Sequence, residues 1–392
     1  MTDVCHIITR MILGGAQENT LLTVRGLHED PDYNVKLVTG PAEGPEGELL
    51  ENARSFGIEP VLIPELKRNI NPYYDMIAFV KLYRYLNEQS FDIVHTHSSK
   101  AGILGRWAAY FNRVPWILHT IHGLPFHEYQ SRWRYWTFRG LEAATASVTD
   151  LIQTVCDRMA EKAQAAGIHP DRGFKTVYSG MELEPFLEVP ELNSNEALNR
   201  KADLGYTEDH FVFGKIARLF NLKGHKYCLK AFARVVEKHP HARLMLVGNG
   251  ILKDDLVDQC QSLGIRDKVQ FTGLVPYRKI PDMLAAMDAL VHTSLREGLA
   301  RVLPQAQAAG RPVISYDIDG APEAIEHGET GFLVPPRSID ELSERMIDLI
   351  ENPEWRESMV EAARDWVQPR YEWRHMVEEI KQSYRNLLDG KP

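Results

Sequence analysis

Cysteine is scarce in this 392-residue sequence, and its four copies, Cys5, Cys156, Cys228 and Cys260, show neither CxxC nor zinc-finger spacing. That excludes a disulfide framework and a cysteine metal cluster, and a reduced compartment with core-filling thiols is expected. No uncharged apolar run approaches the ~18 residues that a membrane-crossing helix requires. The run Val4–Thr9 near the start is too short for the apolar stretch of a secretory leader. The expected localisation is therefore cytoplasmic. Positive charge is in deficit: 45 Lys and Arg stand against 54 Asp and Glu, a net −9. That balance argues against general nucleic-acid binding. The GxGxxG fingerprint is missing as well. Neither "ILGGAQENT" (12–20) nor "VGNG" (247–250) supplies it, which argues against a nicotinamide dehydrogenase.

What is present is a repeating rhythm in a chain of ordinary globular composition, 44% hydrophobic and 25% charged. Short apolar runs at 4–9, 34–39, 60–64, 91–97, 115–122, 150–155 and 174–179 read as strands, with amphipathic stretches between them. One such stretch, 75–89, sets Ile77, Val80 and Tyr83 or Arg84 at helical spacing. The acidic, proline-bearing segment that follows has no period and reads as a linker over 181–205. The rhythm then restarts with strand candidates at 211–219, 242–250, 268–273, 289–294, 312–317 and 331–336. Continuous apolar strands alternating with helices predict parallel sheets covered on both faces. The expected fold class is α/β, with two Rossmann-like doubly wound domains at 1–180 and 206–370. A C-terminal helix over 371–392 is expected to pack back toward the first domain. Ligands of such sheets bind beyond the carboxyl ends of the strands, and a cleft between two such domains is the expected site.

Several stretches carry chemistry. "ARLFNLKGH" (217–225) places Arg218 at a strand end and Lys223 five residues on. A planar guanidinium, a point-charge ammonium and free helix amides suit a diphosphate, although a solvated basic turn fits the same residues. Gly14 and Gly15 lie between the first strand and the first helix, where glycine lets a phosphate or sugar approach the backbone. Two histidine pairs end adjacent strands, His95 with His97 and His119 with His122. His95 and His97 share a face, but no acidic partners complete a metal set. Backbone groups are expected to satisfy His95 and His119. His122 stands before Gly123 at a strand tip, the place for a functional side chain. In "REGLARVLPQAQAAGRPVI" (296–314), Glu297 and Gly298 follow a strand, and a helix is expected to carry Leu299 to Val302 in its first turn. The amides of Gly298, Leu299 and Ala300 would then face a ligand. Gln305, eight positions on, would lie roughly on the side of Glu297. Asp317 and Asp319 form an Asp-x-Asp pair that reads as a strand-end turn rather than a metal site.

Taken together, "GGAQ", His122-Gly123, "RLFNLKG", "VGNG", "FTGLVP", "REGL…AQAAGRPVI" and "GETGFLVPP" resemble, in order and spacing, the retaining family 4 glycosyltransferases of GT-B fold. "THSSKAGILGR" (96–106) and "RNINPYYD" (68–75) resemble members that build bacterial surface polysaccharides. The resemblance implies that Gly14, Gly15, Arg218 and Lys223 bind the donor diphosphate. It implies that His122 and Glu297 act near the donor sugar and that position 305 serves the ribose. The family has a second glutamate at that last position, where this sequence has Gln305. A neutral amide replaces charge-assisted hydrogen bonds there, at a cost of about 1 kcal/mol, or about five- to tenfold in donor affinity.

The expected activity is therefore transfer of a sugar from a UDP-, GDP- or ADP-sugar to a hydroxyl acceptor in polysaccharide or glycolipid assembly. No metal and no other cofactor is expected, and a lipid-linked glycan is a candidate acceptor. "RWRYWTFRG" (132–140) interleaves arginines with aromatics. It reads either as a peripheral membrane contact or as a helix that buries its aromatics and exposes its arginines. The competing functional readings are a nucleotide-sugar epimerase of the same fold and a non-catalytic sugar-nucleotide-binding subunit.

Overall fold

A computed structural model describes residues 1–42 and 47–390 of the chain. It divides into two units, Met1–Met181 together with Tyr371–Pro392, and Glu182–Arg370. The first unit holds a seven-stranded parallel sheet in the order β3-β2-β1-β4-β5-β6-β7. Its strands are β1 (Thr2–Arg10), β2 (Tyr33–Gly40), β3 (Val61–Leu62), β4 (Ile93–His97), β5 (Trp116–Ile121), β6 (Leu151–Thr154) and β7 (Phe174–Thr176). The second unit holds a six-stranded parallel sheet in the order β10-β9-β8-β11-β12-β13. These strands are β8 (Phe211–Ile216), β9 (Ala242–Val247), β10 (Val269–Gly273), β11 (Ala289–His292), β12 (Val313–Tyr316) and β13 (Phe332–Val334). In each sheet the order reverses beside the first strand, β1 or β8, which is the switch point where loops splay apart at the carboxyl ends. All thirteen apolar runs read from the sequence are strands. Helices between them cover the sheets, as buried parallel strands require.

Three packing features differ from or sharpen the sequence reading. Residues 181–205, expected as a linker, carry the helices Glu184–Leu187 and Asn195–Asp203. They are built into the second unit by long-range contacts. Lys201 forms a buried ion pair with Asp288 at 2.7 Å, and Asp288 also accepts from the Val212 amide at 2.7 Å. The guanidinium of Arg311 donates to the Pro190 carbonyl at 2.8 Å. Acidic composition and two prolines hid this, because the partners lie far along the chain.

The helix Trp373–Leu388 belongs to the first unit. It buries Trp373, Met376, Val377, Ile380, Tyr384 and Leu387 in one core with Leu21, Val24 and Leu27 of the helix Gly15–His28. The chain leaves the first unit and returns to it at adjacent points. The Met181 amide donates to the Tyr371 carbonyl at 2.8 Å, and the Trp373 amide donates to the Met181 carbonyl at 3.2 Å.

The segment with interleaved arginines and aromatics forms the helix Arg132–Ala146. Tyr135 and Phe138 pack against a core that includes Ile121, Phe126 and Ile152. Trp133 is 66% exposed and Trp136 is 55% exposed, so burial of the aromatics holds only for the other two. The helix is held to its neighbour Ser99–Phe111 by the fully buried pair Arg106–Glu142 at 2.7 Å. Among the described residues, no helix is long and apolar enough to cross a membrane.

Candidate active site

In the second unit the site is built at the carboxyl ends of β8 and β11. Lys223 ends a short 3-10 turn, Asn221–Lys223, and the following helix starts at His225 rather than at Lys223. Gly224 joins the two with φ 66°, and a Cβ there would lie 1.9 Å from the Thr293 carbonyl oxygen, so only glycine fits. This close approach brings the β8 loop against the β11 loop. The Lys223 ammonium forms an ion pair with Glu297 Oε1, and His292 Nε2 lies 3.6 Å from the same oxygen. Burial by itself would raise the Glu297 carboxyl, but Lys223, with His292 adding, outweighs it and holds the group well below the usual carboxylate range. Glu297 is thus an ionised acceptor with no proton to give. Arg218 is exposed beyond the end of β8, its guanidinium 5.2 Å from the Phe220 ring centre. Its backbone carbonyl is bound by His225 Nε2 at 3.0 Å.

The Glu297 region departs from the sequence reading in one respect. The helix begins at Val302 and runs to Ala308, so Glu297, Gly298, Leu299 and Ala300 form a loop before it. Distant contacts hold that loop open. Asp319 Oδ2 accepts from the Glu297 amide at 2.7 Å, Gly298 accepts from the Gly320 amide at 3.0 Å, and the Leu295 amide donates to Leu222 at 2.8 Å. Helical periodicity therefore does not relate Gln305 to Glu297. Gln305 is 5% exposed and donates from Nε2 to the Tyr277 hydroxyl at 3.2 Å. Asp319 is the residue whose part the sequence understated: the Asp-x-Asp pair is a turn, and its second member fixes the Glu297 backbone. Lys215 is the residue missed altogether. It is the penultimate residue of β8, fully buried, and its ammonium has no hydrogen-bond partner among the described residues. Burial pushes its pKa down to about 8. A lysine inside "FVFGKI" was the available signal.

In the first unit, Gly14 caps the helix Gly15–His28 in an extended conformation, and Gly15 is exposed at its start. His122 follows the last residue of β5 and is half-buried, with its Nε2 3.2 Å from His97 Nδ1. His95 and His119 are buried as expected; side chains satisfy His95 instead of the expected backbone, whereas His119 bonds the backbone of Thr96 as well as its hydroxyl. His95 contacts the Tyr384 hydroxyl at 2.6 Å and the Thr120 hydroxyl at 2.7 Å, and His119 contacts the Thr96 hydroxyl at 2.9 Å. Strand register also brings His6 opposite His95. The nitrogens of His6, His95 and His97 lie close enough to suggest a metal. Each of the six has a hydrogen-bond partner already: His6 and His97 bind one another, and Tyr384, Thr120 and His122 take the rest. A metal would have to break these contacts to gain its lone pairs.

The same unit contains a cavity of about 590 Å3 at the carboxyl ends of β1 and β4. Arg10, Arg68 and Lys100 line it along with Ile103, Leu104 and Phe138. Lys100 is paired with Asp75 at 2.5 Å, so the lining retains a net positive charge.

Two parallel-sheet units with cations and an ionised carboxylate at a strand-end site suit a sugar-nucleotide transferase, and comparison with known proteins gives that class. Residues 14–173 match the family model for the glycosyl transferase 4-like domain, and residues 198–366 match that for glycosyl transferases group 1. The chain belongs to the family 4 glycosyltransferases of GT-B fold, enzymes of nucleotide-sugar chemistry. It is 28% identical over 355 residues to the Escherichia coli UDP-Gal:alpha-D-GlcNAc-diphosphoundecaprenol alpha-1,3-galactosyltransferase, covering 89% of this chain and 88% of that one. It is 24% identical to the capsular polysaccharide biosynthesis glycosyltransferase CapM of Staphylococcus aureus, covering 82% and 84%. In fold it is similar to Anabaena HepE, solved in complex with UDP-glucose, with a TM-score of 0.82 at 21% identity over 98% of this chain and 100% of that one.

Proposed function

We propose that the protein transfers a sugar from a nucleoside diphosphate sugar to a hydroxyl of a lipid-linked glycan, without a metal ion and with retention of anomeric configuration. The observation that carries this reading is the Lys223–Glu297 pair in the loops that follow β8 and β11, with Arg218 two positions past the end of β8. As the bond to the sugar breaks, negative charge grows on the leaving diphosphate. Two fixed protein cations meet that charge without a metal, and preorganised charge of this kind is commonly the largest catalytic contribution. Lys223 is ion-paired before donor arrives and would gain the diphosphate as a second anionic partner. Glu297, permanently ionised, would accept hydrogen bonds from sugar hydroxyls rather than deliver a proton. His122, Gly14 and Gly15 serve the donor from the first unit, a role that rests on the family resemblance, as does retention.

The lipid-linked acceptor is supported by the cavity of the first unit. Arg10, Arg68 and Lys100 suit a diphosphate, and Ile103, Leu104 and Phe138 suit an isoprenoid chain in the same space. The E. coli relative is named for an acceptor of that kind.

Arg218→Ala and Lys223→Ala are each expected to lower kcat/KM at least about tenfold, the loss of one charge-assisted contact. Chelator is expected to leave the rate unchanged, and the product anomer, read by NMR, is expected to match that of the donor. Normal rates in both variants would remove the phosphate assignment. A chelator-silenced enzyme would remove the metal-free mechanism.

A further inference from the structure

Behind His122 lies a run of buried polar side chains that sugar transfer as described does not use. It is one continuous hydrogen-bonded chain, and its proton directions can be worked out from one end. On the terminal helix, the Ser383 hydroxyl donates to the Glu379 carbonyl at 2.9 Å. Having spent its only proton, Ser383 accepts from Gln153 Nε2 at 3.0 Å. Gln153 therefore turns its amide oxygen to the Thr120 hydroxyl, 3.5 Å away, and Thr120 donates to it. Thr120 must then accept from His95 Nε2–H at 2.7 Å.

From there each neutral imidazole donates at one nitrogen and accepts at the other. His95 Nδ1 accepts from the Tyr384 hydroxyl at 2.6 Å, and the Tyr384 oxygen accepts from His6 Nε2–H at 3.1 Å. His6 Nδ1 accepts from His97 Nε2–H at 2.8 Å. His97 Nδ1 accepts from His122 Nε2–H at 3.2 Å. The three inner rings are fully buried, and burial pushes His6 down to about 3 and His95 and His97 well below their ordinary value. A charged ring donates at both nitrogens, so the neighbour that now donates to its Nδ1 would have to turn round and accept.

We propose that Tyr384, His95, His6 and His97 are positioning residues that hold His122 in one orientation and one tautomer, with its proton on Nε2 and its lone pair on Nδ1. This rests on the reading of His122 as a donor-site residue. It gives the terminal helix a part in the reaction beyond packing, because that helix supplies Tyr384 and the carbonyl that sets the direction. A lone pair on Nδ1 suits a ring that accepts from a hydroxyl or receives a proton, not one that donates from that nitrogen.

The test uses full-length protein labelled with 15N-histidine. Long-range proton–nitrogen correlations are expected to show a protonated Nε2 and a bare Nδ1 for His6, His95, His97 and His122 near neutral pH. An Nδ1–H tautomer or a charged ring at any of the four overturns the chain. Tyr384→Phe keeps the ring and removes the link. It is expected to lower kcat about tenfold with donor KM unchanged, and to turn the His122 signal into a tautomer mixture. If that variant does not fold, Thr120→Val cuts the chain further out and is read the same way. Unchanged kcat in a folded variant overturns the positioning role. His122→Ala separates the two readings: full activity there removes His122 from the donor site, whereas the wild-type spectrum decides the chain by itself.

Discussion

Lys215 and Glu297 show two ways a charged side chain can be buried in one small region. Glu297 is ion-paired with Lys223 and stays ionised, so the acid limb of a pH–rate profile is expected to carry no contribution from it near the ordinary glutamate range, about pH 4. Lys215 has no partner, and burial lowers its pKa from 10.5 to about 8. Between those values the unfolded chain holds a proton that the folded chain has released. Stability therefore rises with pH across that window. Below it, the folded protein carries a buried, uncompensated ammonium. Lys215→Met is expected to stabilise the fold by about 1–3 kcal/mol at neutral pH, and to abolish the rise with pH. Thermal unfolding followed from neutral to alkaline pH checks both, and a lower Tm in the variant would mean that the ammonium is paired after all. Gln305 belongs at this scale too. Its amide donates to Tyr277, a contact that a carboxylate could not make in the same sense, so the family's glutamate would need the Tyr277 hydroxyl to turn round and donate.

Among the elements, the sheets were legible and the loops were not. A strand buried on both faces is a short continuous apolar run, and thirteen such runs became thirteen strands. The sequence places Leu299 to Val302 in the first turn of a helix, whereas the helix starts at Val302 and the residues before it form a loop. What keeps it from winding is Asp319, 22 positions away, and the Leu222 carbonyl, 73 positions before Leu295. Local periodicity has no access to such contacts. The histidines show the same limit. That His95 and His97 share a face follows from alternation, whereas Tyr384, 289 positions from His95, enters only through the packing of the terminal helix. The aromatic helix Arg132–Ala146 carries its own prediction. Trp133 and Trp136 are exposed beside Arg134 and Arg139, which lie 5.3 Å and 4.7 Å from the respective ring centres. Amphipathic rings among cations suit an anionic lipid surface. The protein is expected to float with anionic vesicles, and Trp133→Ala with Trp136→Ala is expected to reduce that binding severalfold without loss of stability. Equal binding to neutral and anionic vesicles would argue against the arginines.

For the molecule as a whole, the terminal helix decides which fragments can fold. Its six buried apolar side chains contribute about 1.5–3 kcal/mol each. Together they rival the ~5–15 kcal/mol net stability of a typical domain. Residues 1–181 alone are thus expected not to unfold cooperatively, whereas 182–370, whose core draws only on its own residues, is expected to do so. Joining Met181 to Tyr371 through a short Gly/Ser linker is expected to restore a folded first unit. Circular dichroism melts of the three fragments check this, and a sharp transition for 1–181 alone would show that the helix is dispensable.

The hydrogen-bonded neighbours Met181, Tyr371 and Trp373 make the second unit an exchangeable cassette. Whatever is spliced between those points finds its two ends already side by side, so a lineage could trade one second unit for another while the core of the first went on folding undisturbed.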